Sequence, residues 1–177
     1  VIGFGGRVIG QGEPKYLNSP ETPLFEKGRE LYGLLQARSA IRDEDCVIVV
    51  EGYMDVVALA QHGIGNAVAT LGTATTPTHV HKLLRQADRV IFCFDGDNAG
   101  RKAAARALDA SLEHVADNKT VAFLFLPTED DPDSYVRAHG ADAFRKLGRQ
   151  AMPLTDFLMQ ELRAGKDLAT AEGRSQL

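Results

Sequence analysis

Two acids one residue apart, Asp95 and Asp97, end the apolar run Val90 to Phe94 in the segment Arg89-Val-Ile-Phe-Cys-Phe-Asp-Gly-Asp-Asn-Ala-Gly100. Carboxylates this close repel each other, and a divalent cation would offset the charge; hard oxygen donors favour magnesium or manganese. The same segment also fits an ordinary acidic turn at the start of a helix, and taken alone it supports both readings equally.

The elements around the acids sharpen the question. Val90 to Phe94 has the length and the β-branched and aromatic content of a buried strand, so Asp95 and Asp97 stand at its C-terminal end. Gly96 frees the backbone to turn. Asp97 or Asn98 can then cap a helix expected over Arg101 to Val115, with Ala104, Leu108, Leu112 and Val115 inward. Three further apolar runs, Val47 to Val50, Asn66 to Leu71 and Val121 to Leu126, alternate with helical patterns. Thr76 and Pro77 read as the N-cap and first residue of one such helix, which turns Val80, Leu83 and Leu84 inward. Continuously apolar strands separated by helices predict an α/β fold, with a parallel sheet covered on both faces.

In such a sheet Glu51 ends the first strand and Asp95 and Asp97 end the third, which brings all three acids to one edge. A second cluster, Asp130-Asp131-Pro132-Asp133, follows the fourth strand and can reach the same edge. Magnesium held by few carboxylates keeps waters and bridges to phosphates, so the pattern points to phosphoryl or nucleotidyl transfer. Asp55 is ambiguous, because an acid in the first turn of a helix is favoured by the helix dipole in any case.

The rest of the sequence sets bounds. The 177 residues carry a formal net charge of −4, which argues against a generally basic protein that coats nucleic acid but leaves room for a local basic face. The two cysteines, Cys46 and Cys93, lack zinc-ligand spacing and read as core residues. The five histidines read as surface residues. No signal peptide or membrane-length apolar stretch is present, which fits a cytoplasmic protein, and the sequence reads as part of something longer. Residues 1–42 are mildly basic, with six Lys and Arg against four acids. There a hairpin is expected around Gly5-Gly6, and a helix from Lys27 towards Ala37. The far end reads as helical over Ala141 to Arg149 and Pro153 to Ala164. Arg7, Lys15 and Lys27, with Tyr16 and Asn18, are candidates for a phosphate-binding ridge, although scattered surface cations are the default in any soluble domain.

Glu51-Gly-Tyr-Met-Asp55, Asp95-Gly-Asp97-Asn-Ala-Gly100 and Asp131-Pro-Asp133 closely resemble the signatures of the Toprim domain of bacterial-type DNA primases. Lys15-Tyr-Leu-Asn-Ser-Pro-Glu-Thr-Pro23 and Phe25-Glu-Lys-Gly-Arg-Glu-Leu-Tyr-Gly33 resemble that family's basic N-terminal subdomain. The resemblance implies a basic subdomain over 1–43, a Toprim domain over 44–140 and a truncated C-terminal helical segment over 141–177. It further implies template-directed synthesis of short RNA primers on single-stranded DNA from ribonucleoside triphosphates. Glu51, Asp95 and Asp97 would hold a catalytic magnesium or manganese ion, Asp131 and Asp133 would help with further ions, and Arg7, Lys15, Tyr16, Asn18 and Lys27 would hold nucleotide or DNA. The zinc-binding domain and the domain that engages the replicative helicase would lie elsewhere in the protein; no zinc is expected in this chain, which would be monomeric. Two alternatives remain at this stage: a Toprim nuclease using the same acids, or a non-catalytic DNA- or nucleotide-binding module.

Overall fold

The computed structural model describes residues 1–8, 16–114 and 116–164. Lys15, Val115 and the stretch after Ala164, all of which figure in the sequence expectations, lie outside the described residues.

The α/β alternation is borne out. Strands β1 (Gly5–Arg7) and β2 (Tyr16–Asn18) precede helix α1 (Leu34–Glu44). Then come β3 (Cys46–Val50), α2 (Tyr53–Gln61), β4 (Ala67–Ala69), α3 (Pro77–Leu84), β5 (Arg89–Phe94), α4 (Asn98–Leu112) and β6 (Thr120–Phe125). Helix α5 (Pro132–Arg149), strand β7 (Met152–Pro153) and helix α6 (Leu154–Arg163) follow. The main sheet has the order β4-β3-β5-β6-β7, parallel throughout except for β7, which runs antiparallel to β6. Alternate residues of the strands feed two cores. Val47, Val49, Val90, Phe92, Val121 and Phe123 pack under α1, α3, α4 and α6, while Ile48, Val50, Ile91, Cys93, Ala122 and Leu124 pack under α2 and α5. Phe92 and Phe123 stack across neighbouring strands with centroids 5.8 Å apart, and Phe157 of α6 closes on Phe123 at 4.7 Å. Each such side chain, once buried, contributes about 1.5–3 kcal/mol, so this face is a main anchor of the sheet.

Five expectations of local structure need correction. Leu112, expected inward, is 43% exposed at the end of α4. Gly5 and Gly6 do not form a turn: they lie inside β1, which pairs antiparallel with Tyr16–Asn18. A Cβ on Gly5 would sit 3.1 Å from side-chain atoms of both Asn18 and Tyr53, a tight approach that either neighbour would have to relieve. Helix α1 begins at Leu34 rather than Lys27, because Gly33 takes a left-handed φ of 80° and the residues before it are tied elsewhere. Helix α5 starts at Pro132, capped by Asp131, and bends at Gly140, where φ is 82°. Between α5 and α6 the chain forms the short edge strand β7, where a proline costs no ladder bond on its outer side.

Candidate active site

Sheet order decides where a ligand can sit. From β3 the chain moves outward to β4 and then crosses back to β5 on the other side, so the connections diverge between β3 and β5. In open α/β sheets the crevice beyond the C-terminal strand ends at such a reversal is the usual binding place. Glu51 follows β3 and Asp95 follows β5, which makes these two acids the flanks of that crevice. The strands are in register there, with Val49 opposite Phe92.

Two glycines set the loops at this edge. A Cβ on Gly96 would fall 2.1 Å from the Leu126 carbonyl oxygen, and one on Gly100 would fall 2.2 Å from that of Asp95. The absence of side chains therefore lets the β5–α4 loop fold against both its own strand end and the loop after β6. That loop carries Asp130 and the helix cap Asp131 and leads into the first turn of α5 with Asp133, so close approach brings the second acidic cluster towards the first. Asp97 caps α4, accepting from the Gly100 N–H at 2.7 Å. Asp131 caps α5 in the same way, accepting from the Ser134 N–H at 2.7 Å. Asp133 pairs with Arg137 along α5.

The electrostatics show one cluster. Burial pushes the Glu51 carboxyl above its ordinary range, with Asp95 and Asp97 adding to the effect. Asp95 is raised by burial first and then by Asp131 and Asp97. Asp55, which sequence reasoning left ambiguous, is a full member: burial, then Asp131 and Asp95, push it up to about 7. Its first-turn position concealed it, because helix-dipole preference gives the same residue type there. Among the described residues, no Lys, Arg or His pairs with Glu51, Asp55, Asp95, Asp97 or Asp131.

Also among the described residues, no three Asp, Glu, His or Cys side chains stand close enough together to hold a metal ion. The expected three-carboxylate site is thus one edge of acids rather than a closed cage. One Asp97 carboxylate oxygen is engaged in the α4 cap. The donor set is nonetheless all oxygen, uncompensated and at the crevice, which fits a hard divalent cation that retains its waters.

Of the candidate basic ridge, Arg7, Tyr16, Asn18 and Lys27 are among the described residues. The Arg7 guanidinium stands over the Tyr16 ring at 5.5 Å, and Tyr16 meets the edge of Tyr53 at 5.6 Å. Tyr53 opens α2 two residues after Glu51, so this stack ties the β1–β2 hairpin to the acidic edge. Asn18 donates to the Leu71 carbonyl at 3.1 Å, just beyond β4. The Lys27 N–H donates to Glu21, while its carbonyl accepts from His79 at 3.1 Å. His79 was expected at the surface; it is instead fully buried, its ring nitrogens occupied by the Lys27 carbonyl and the Thr76 N–H.

Two family models match the chain: a Toprim domain over residues 45–122, and the N-terminal domain of the DNA primase catalytic core over residues 1–38. The DNA primase of Pseudomonas aeruginosa is 59% identical over 178 residues, covering 100% of this chain and 27% of that protein. The DNA primase of Escherichia coli K12 is 54% identical over 177 residues, covering 100% of this chain and 30% of that protein. The chain therefore spans under a third of the length of these relatives. A solved structure of the DnaG catalytic core superposes with a TM-score of 0.95 at 53% identity, over 99% of this chain and 57% of that one. A DnaG primase catalytic domain bound to single-stranded DNA superposes with a TM-score of 0.94 at 53% identity, over 99% of this chain and 57% of that one. With both family models matched in order along one chain and the fold shared over nearly all of it, the chain belongs to the bacterial DNA primase family.

Proposed function

We propose that this chain is the metal-dependent nucleotidyl-transfer centre of a primase, joining ribonucleoside triphosphates into short RNA primers on a single-stranded DNA template. The observation that carries the reading is the crevice between β3 and β5, flanked by Glu51 and Asp95 and bordered by the uncompensated Asp55, Asp97 and Asp131. Support comes from the primase relatives and from the solved relative bound to single-stranded DNA.

Glu51, Asp95 and Asp97 would hold a magnesium or manganese ion, with Asp131 and Asp133 available to further ions. Bound there, the ion supplies charge stabilisation on the triphosphate and orients the attacking hydroxyl. The chain's own residues do the rest. The acids supply oxygen donors at the crevice, while the Gly96 and Gly100 contacts fix their backbone. Arg7, Lys15, Tyr16, Asn18 and Lys27 would hold nucleotide phosphates or template, and Tyr16 would offer its ring to a base. The proposed division runs from a basic subdomain over 1–43, through the Toprim unit over 44–140, to the helical segment over 141–177. In the cell the reading puts the protein in the cytoplasm at the replication fork, where a part of the protein outside this chain engages the replicative helicase.

The test is incorporation of labelled ribonucleotides on single-stranded DNA by the full-length protein. The reading expects loss of product in Asp95→Asn/Asp97→Asn. Metal-dependent DNA cleavage without incorporation would instead support a Toprim nuclease, and nucleotide or DNA binding with neither activity would support a binding module.

A further inference from the structure

Three consecutive carbonyls, those of Lys27, Gly28 and Arg29, are each held by a side chain of α3 or of its N-cap. His79 Nε2 donates to the Lys27 oxygen at 3.1 Å, the Thr76 hydroxyl to the Gly28 oxygen at 2.7 Å, and Lys82 Nζ to the Arg29 oxygen. His79 is the pivot. Its Nδ1 accepts from the Thr76 backbone N–H at 3.3 Å, and the His79 backbone N–H donates to the Thr76 hydroxyl oxygen at 3.2 Å, so one residue closes the capping box and reaches across to Lys27. The two contacts fix the neutral tautomer with the proton on Nε2. The ring has 0% exposure, and nothing in packing alone requires a histidine there. Backbone contacts from Lys27 and Glu30 and the nearby charges of Lys82 and Glu30 complete its surroundings. The clamp joins the stretch matched by the primase N-terminal model to the stretch matched by the Toprim model.

We infer that His79, with Thr76, is a positioning residue: it fixes the backbone at Lys27 so that this lysine's ammonium is presented to phosphate beside the acidic crevice. The inference rests on the phosphate-binding role proposed above for Lys27. Without the clamp, the segment from Glu26 to Arg29 is held by short-range turn bonds, by the Glu21 contact to the Lys27 N–H and by a long 3.5 Å bond from the Thr73 hydroxyl to the Lys27 carbonyl. A lysine on such a segment samples many positions, and the entropy of fixing it is then charged to ligand binding.

Four variants of the full-length protein separate the possibilities: Lys27→Ala, His79→Asn, His79→Gln and Thr76→Asp. Asn retains an acceptor for the Thr76 N–H but is too short to reach Lys27. Gln can reach Lys27 and donate, while Asp remains a good N-cap but no longer donates to Gly28. The probes are ATP with magnesium, a single-stranded oligonucleotide, and magnesium alone. Lys27→Ala is expected to weaken ATP or oligonucleotide binding. His79→Asn and Thr76→Asp are expected to weaken the same ligand by about three- to tenfold, the cost of one to two lost hydrogen bonds. Magnesium affinity should stay unchanged, and His79→Gln should restore binding. In Lys27→Ala/His79→Asn the losses should not add. If Lys27→Ala weakens binding while His79→Asn and Thr76→Asp leave it intact, or if the double variant is additive, the positioning role is wrong. If Lys27→Ala weakens neither ligand, the phosphate-binding reading of Lys27 is itself wrong and the inference falls with it. Thr76→Asp keeps the inference open to refutation even if His79→Asn does not fold.

Discussion

Gly96 and the Leu126 carbonyl approach so closely that a Cβ on the glycine would lie 2.1 Å from that oxygen. The contact locks the loop bearing Asp95 and Asp97 against the loop that ends at Asp131 and leads into α5, which links the end of one buried strand to the chemistry expected at the crevice. Gly96→Ala must push the loops apart. The expected result is a loss of about 1–3 kcal/mol of stability, typical of forced overpacking, seen as a lower midpoint in chemical denaturation. Metal affinity should fall as well, because the two acidic groups separate.

Asp97 has two duties that substitution can part. Asn is as good an N-cap as Asp, so Asp97→Asn should leave the melting temperature near that of the wild type, while Asp97→Ala should cost about 1 kcal/mol. Both variants lose the carboxylate and should lose primer synthesis alike. Thermal melts run beside activity assays check the separation; an Asp97→Asn variant with full activity would remove Asp97 from the ligand set.

The acidic crevice should also make the metal-free protein less stable as pH rises. Asp55 moves from an ordinary 3.8 to about 7 in the folded state, so across that window the folded chain binds more protons than the unfolded chain. Stability therefore falls as pH climbs from about 4 to about 7, and Glu51 and Asp95, raised for the same reasons, act in the same direction. Melting in a chelator across this range should show the decline. Added magnesium should recover more stability above about pH 7 than below about pH 5, because only the ionised acids bind it. In Asp55→Asn the decline should be shallower.

Much of this arrangement is legible in the sequence because local and global signals agree there. The run from Val90 to Phe94 is long, apolar and cut off by acids, and the Thr76-Pro77 cap leaves little freedom for α3. Other features depend on partners distant in sequence. His79 reads as a surface residue because an HxH pair on a helix has one member on each side, and only the packing of Lys27 against α3 shows which side is buried. Strand β7 is two residues long, too short for any periodicity. Gly5-Gly6 has the composition of a turn, yet antiparallel pairing with Leu17 and Asn18, about a dozen residues on, makes it a strand. Asp55 joined the acidic group only once α2 and the loop after β6 were in place, since its strongest charged neighbour, Asp131, lies far along the chain.

The most direct test is ribonucleotide incorporation on a single-stranded DNA template, with magnesium, by the full-length protein and its Asp95→Asn/Asp97→Asn form, both shown by melting to be folded. The account predicts short RNA products from the wild type and none from the variant. Equal product from the two proteins would contradict it.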